Sequence, residues 1–188
     1  MQATMPMTQA KIGAVPRSDR EEDRPEFDQM FMDNKDLVFR AAYRITGNAS
    51  DAEDVLQTVF LRLLRQDQPP EIRHLRAYLH RAAVNAALDT LRMKKDAQNV
   101  PLEDSPALPE VATLSGRVPG ELQDWLRQAL AKLNPRWAEM FVLRFIEDYS
   151  NGEIARLMKT SAAVVAVVLH RTRAQLKKDF MASTGGGR

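Results

Sequence analysis

The chain has 188 residues, with 27 Lys and Arg against 25 Asp and Glu, a formal net charge of +2. That length suits one large or two small domains. There is no cysteine, so a disulfide framework and a thiolate metal site are excluded, and the three histidines (His74, His80, His170) have no paired metal spacing. No nucleophile–base pair, phosphate loop or metal cluster stands out, so an enzyme is not indicated and no cofactor is expected. The near-neutral total hides two basic stretches. Residues 71–95 carry six cations against Glu71 and Asp89, and residues 156–178 carry six cations and no acid. Two separated basic patches suit a polyanion touched at two places. The longest apolar run, 162–169, is far too short to span a bilayer, and the N-terminus lacks a secretory signal, so a cytoplasmic protein is expected.

In chain order, residues 1–25 mix Pro, Gly, Met and charge without a period and read as a disordered tail. Phe27, Met30, Phe31, Leu37, Val38, Ala41, Ala42 and Ile45 predict a helix over 26–46, with Gly47 as its C-terminal cap. Ser50 and Glu53 have capping-box spacing. After them Ala52, Val55, Leu56, Val59, Phe60, Leu63 and Leu64 form an apolar stripe, predicting a second helix to about residue 65. On its opposite face Asp54, Gln57 and Leu61 fall together. Two polar groups around one exposed leucine suit a protein docking surface, or simply a scattered surface leucine. Pro69-Pro70 breaks the helical pattern.

A third helix is predicted over 74–95, with Leu75, Leu79, Ala82, Ala86 and Met93 inward. Tyr78, Arg81, Asn85 and Arg92 line one side of it. An aromatic ring, two guanidiniums and an amide can stack on unpaired bases, hold phosphates and bond base edges. A half-buried tyrosine among solvated arginines is the plainer alternative. Residues 97–120, with Pro101, Pro106, Pro109 and Pro119, read as a flexible acidic linker.

The second module begins near Glu121, where Leu122, Trp125, Leu126, Ala129, Leu130 and Leu133 make a helical stripe. Asn134-Pro135 starts another helix, buried by Trp137, Met140, Phe141, Leu143, Phe145 and Ile146. Ser150 and Glu153 repeat the capping-box spacing and open a short helix over 151–158. A turn at 159–161 leads to a longer basic helix over 162–180. That succession reads as helix-turn-helix, or as an ordinary helical hairpin.

The run Asp51-Ala52-Glu53-Asp54-Val55-x-Gln57-x-Val59-Phe60-Leu61-Arg62-Leu63 closely resembles a segment of the extracytoplasmic-function (ECF) sigma factors, the smallest group of bacterial sigma-70-type initiation factors. The resemblance implies that Asp51, Asp54, Gln57 and Leu61 contact the β′ clamp helices of core RNA polymerase. Tyr78-Leu79-His80-Arg81-Ala82-Ala83-Val84-Asn85, then Asp89 and Arg92, is similar to the family's −10 segment, with Tyr78 where tryptophan is commoner. It implies that Tyr78, Arg81, Asn85 and Arg92 handle melted −10 DNA, with a base flipped into a pocket shaped by residues 67–74. The linker would then thread towards the RNA exit path.

The block from Leu133-Asn134-Pro135 through Tyr149-Ser150-x-x-Glu153-Ile154-Ala155 to Leu169-His170-Arg171-x-Arg173-x-x-Leu176 looks like sigma region 4, which reads the −35 element and binds the β flap. The implied −35 contacts are Ser161, Ala163, Val167, His170, Arg171 and Lys178. One departure stands out. Where the family has polar residues at the front of the recognition helix, this chain has Ala162-Ala163-Val164-Val165-Ala166-Val167-Val168. Val165, Leu169 and Leu176 point to the core, and Ala163 and Val167 outward. Such a front reads thymine methyls or binds a protein. The turn glycine common in the family is also missing, with Lys159 near its place.

The expectation is therefore all-α. Two small helical domains, 26–96 and 121–182, are joined by a flexible linker, with tails at 1–25 and 183–188. The implied function is a sigma factor that binds core polymerase, recognises −35 and −10 elements and melts promoter DNA. An anti-sigma factor is an expected partner. The competing readings are a sigma-like decoy for such a factor and a free-standing helix-turn-helix regulator.

Overall fold

The computed structural model describes residues 24–65, 72–98 and 120–185. Among these there are seven helices and no strand: α1 (Arg24–Thr46), α2 (Ala49–Leu64), α3 (Ile72–Gln98), α4 (Gly120–Lys132), α5 (Pro135–Phe145), α6 (Asn151–Leu157) and α7 (Ala162–Gly185). The all-α expectation therefore holds. The linker and the N-terminal tail lie outside the described residues almost entirely, as do residues 186–188 and most of the 67–74 loop, whereas 183–185, expected as tail, continue α7. The chain divides into a unit Met1–Asp33 and a unit Asn34–Arg188, and the packing below is that of the second.

Helix starts follow local hydrogen-bond chemistry. At α2 the cap is Asn48, not Ser50. Gly47 takes φ +69, Asn48 is extended, and the Asn48 side chain accepts from the Asp51 amide at 2.9 Å. Ser50 is already inside the helix, so the capping box expected there does not form. Asn134 caps α5 by accepting from the Arg136 amide, with Pro135 in the first turn. The capping box at α6 is complete. Ser150 accepts from the Glu153 amide, and Glu153 accepts from the Ser150 amide at 2.8 Å. The side chain of Ser161 accepts from the Val164 amide at the start of α7.

Helix α3 is common to both halves of the unit. It packs on α2 on one side and on α4 and α5 on the other, while α7 packs on α5 and α6. Its buried residues, Leu79, Ala83, Val84, Ala86, Ala87, Leu88 and Leu91, sit on more than one face for that reason. Val55, Val59, Phe60 and Leu63 of α2 are buried, as are Leu130, Met140, Val142, Leu143, Ile154, Val165, Leu169 and Leu176 of the later helices. Each such apolar side chain contributes roughly 1.5–3 kcal/mol by leaving water.

Three expected core residues are not in the core: Leu64 of α2, Met93 of α3 and Phe145 of α5 are exposed. Met93 and Leu64 lie near the ends of their helices, and Phe145 lines a surface groove. No helix among the described residues is long and apolar enough to cross a membrane.

Candidate polymerase and nucleic-acid surfaces

The outer face of α2 presents Asp54, Gln57 and Leu61 to solvent, with Leu61 48% exposed. Asp51 is not part of it. Its side chain is 11% exposed and bonds the Lys94 ammonium at 2.6 Å, so it ties the start of α2 to the end of α3. The geometry thus removes Asp51 from the exposed docking set. Sequence could not show this, because Lys94 is 43 residues away.

On α3 the four residues of the expected DNA stripe have different surroundings. Tyr78 is half-buried. Arg92 is also half-buried and donates to Asp89 at 2.8 Å. Arg81 donates through Nε to Glu139 Oε1 at 2.5 Å and through Nη1 to the Leu157 carbonyl at 2.9 Å. Asn85 Nδ2 donates to the same Glu139 oxygen at 3.1 Å. Glu139 belongs to α5 and its side chain is only 7% exposed. One buried carboxylate of the C-terminal helices therefore holds the central two residues of the stripe.

A second buried carboxylate, just past the end of α5, repeats the arrangement. Glu147, 2% exposed at its side chain, lies 2.7 Å from His80 Nε2 and 3.2 Å from Arg44 Nη1. A carboxylate only accepts, so Nε2 donates to it. The other ring nitrogen, Nδ1, lies 2.9 Å from the Tyr149 hydroxyl and accepts from it when the ring is neutral, and the two rings stack with centroids 5.3 Å apart. Burial, then the nearby carboxylates of Glu147 and Glu153, raise the Tyr149 hydroxyl above its ordinary pKa, which keeps it a donor. Sequence reading missed Glu139, Glu147, His80 and Tyr149. The available signal was Glu139 itself, a carboxylate flanked by the buried Ala138 and Met140.

Between α3 and α5 lies a polar cavity of about 500 Å³ lined by Arg81, Asn85, Asp89, Arg92, Arg136 and Glu139. A second, apolar groove of about 410 Å³ runs between α4, α5 and α7. Trp125 and Phe180 meet edge to face there, Phe141 lies against Phe145, and the Arg173 guanidinium sits 5.5 Å over the Phe145 ring.

The helix-turn-helix is α6, a turn and α7. Lys159 turns the chain with φ 51, the left-handed conformation that glycine adopts without strain. In α7, Val165, Leu169 and Leu176 are buried as expected, and Ala163, Val167, His170, Arg171 and Lys178 are exposed. Ser161 is exposed, and its hydroxyl is used as the cap of the helix.

A small helical bundle with Asp54, Gln57 and Leu61 exposed on one face, together with a basic helix-turn-helix, has the makeup of a DNA-reading protein. Comparison with known proteins makes this specific. Residues 30–96 match Sigma-70 region 2 and residues 123–176 match Sigma-70 region 4. The RNA polymerase sigma-E factor of Streptomyces coelicolor is 30% identical over 158 residues, covering 84% of this chain and 87% of that protein. The ECF RNA polymerase sigma factor SigE of Mycolicibacterium smegmatis is 33% identical over 167 residues, covering 84% of this chain but 62% of the longer relative. SigW of Bacillus subtilis is 29% identical, covering 78% and 84%.

Among solved structures, the sigma factor RpoE of Bartonella quintana, in complex with the anti-sigma factor NepR, has a TM-score of 0.50 at 20% identity. It covers 87% of this chain and 99% of that one, a likeness in fold alone. The chain belongs to the sigma-70 family, in its ECF group: it is an RNA polymerase sigma factor for promoter-specific transcription initiation.

Proposed function

We propose that the chain bridges core polymerase and promoter DNA through separate faces of its helices. Asp54, Gln57 and Leu61 of α2 dock on the β′ clamp helices. Tyr78, Arg81, Asn85 and Arg92 of α3 capture the unstacking −10 strand, the ring stacking on bases and the guanidiniums holding phosphates. The exposed front of α7 enters the −35 major groove, with Arg171 and Lys178 on phosphates. The apolar groove walled by Trp125, Phe141 and Phe145 suits the β flap. The factor supplies recognition and strand capture, and the polymerase supplies the chemistry. Work with polymerase places it in the cytoplasm. An anti-sigma partner fits the same family, since the Bartonella relative in fold is seen with one.

The observation that carries this reading is the exposed Leu61 between Asp54 and Gln57, on a helix whose other side is core. Asp54→Arg with Leu61→Arg should abolish pull-down of core polymerase while helicity is kept. Undiminished pull-down rejects the face. Tyr78→Ala with Asn85→Ala should keep core binding and lose permanganate reactivity of promoter thymines. A gel shift with and without core separates this reading from a free-standing regulator, which would bind its duplex tightly alone. Holoenzyme–promoter affinity should fall steeply with salt, because phosphate neutralisation dominates it.

A further inference from the structure

The outward face of α7 changes character along its length. Its front presents Ala163, Val164, Ala166 and Val167, with Val164 48% and Val167 50% exposed. One turn on, the same face continues as His170 and Arg171, and further along as Lys178, all exposed. Between Glu153 and Asp179 the chain has no acid. An exposed aliphatic patch followed along the same face by cations, in a stretch without acids, fits a partner that is polyanionic outside and carries methyl groups on its floor. A duplex major groove rich in A·T pairs is such a partner, because thymine puts its 5-methyl group there.

From this we infer that the second module reads its duplex site by thymine methyl groups under Ala163, Val164 and Val167, with no hydrogen-bond readout from the front of the helix. The inference rests on the proposed −35 role of α7 and deepens it. A donor–acceptor code is out of reach for these three side chains, so each base pair beneath them is told apart only by whether it carries a methyl group. A well-covered methyl group is worth on the order of a fourfold change in affinity, taking the burial of one carbon.

The test uses holoenzyme and promoter duplexes recovered by run-off selection. Thymines of the upstream element are replaced singly by deoxyuridine, which removes only the methyl group. Two or three adjacent positions should each lose several-fold in affinity. At the same positions a C·G pair should bind weakly and a 5-methylcytosine·G pair should regain most of the loss. At the position beneath residue 167, Val167→Ser should bind thymine and uracil duplexes alike. Equal binding of uracil and thymine duplexes by the unaltered protein, with the element still required, overturns methyl reading but leaves the −35 role standing. If scrambling the whole element changes nothing, both fall.

Discussion

Gly47 gives the most direct test of how the two modules are joined. Its amide donates to the Tyr43 carbonyl at 2.8 Å and ends α1, and its φ of +69 lets Asn48 swing into place as the cap of α2. A β-carbon added there would lie 2.0 Å from Arg127 Nη2 and 2.3 Å from its Cζ, on α4. Gly47→Ala therefore has two separable costs. The left-handed backbone costs about 1–2 kcal/mol for alanine, of which about 0.5–1 is offset by the lower chain entropy of the unfolded variant. The clash forces the Arg127 side chain aside and breaks its 2.6 Å bond to Asp124. Asp124 is exposed, so that loss adds at most about 1 kcal/mol. Urea unfolding should show Gly47→Ala destabilised by about 1–2 kcal/mol in total. In an Arg127→Ala background the steric part disappears and roughly half the cost remains. A cost under about 0.3 kcal/mol in both backgrounds would refute the backbone argument. An equal full cost in both would refute contact between Gly47 and α4.

Lys159→Gly should stabilise the helix-turn-helix by about 0.5–1 kcal/mol, because Lys159 holds a left-handed φ that glycine adopts freely; thermal melting measures it. Hydrogen bonds from the Ser150 hydroxyl and amide lower the Glu153 pKa below its ordinary value of 4.5. That contribution is therefore present above about pH 4.5 and is lost as pH falls through the depressed value. The stability gap between the unaltered chain and Glu153→Gln should be widest at neutral pH and close in acid. Asp51→Ala should cost on the order of 1–2 kcal/mol in urea unfolding, since it unpairs the half-exposed Lys94, yet leave core pull-down intact. Loss of pull-down in a folded Asp51→Ala protein would return Asp51 to the docking face.

Much of the fold was legible because it is local. Asn134-Pro135 and Ser150 with Glu153 mark helix starts within four residues, and both caps form. The inward set of Val165, Leu169 and Leu176 follows from spacing alone. The cap of α2 failed because two acceptors stood two residues apart, and the turn at Gly47 favoured the earlier one. Met93 failed because a stripe drawn along a 27-residue helix does not say where its partners end. The site residues were legible as types, but not their present partners. Arg81 and Glu139 are 58 residues apart, and His80 and Glu147 are 67, so no periodicity connects them.

The Arg81–Glu139 contact is reachable by solvent, with the arginine side chain 37% exposed. Dissolved ions would therefore weaken it. The same ions compete with any nucleic acid for the cationic helix faces.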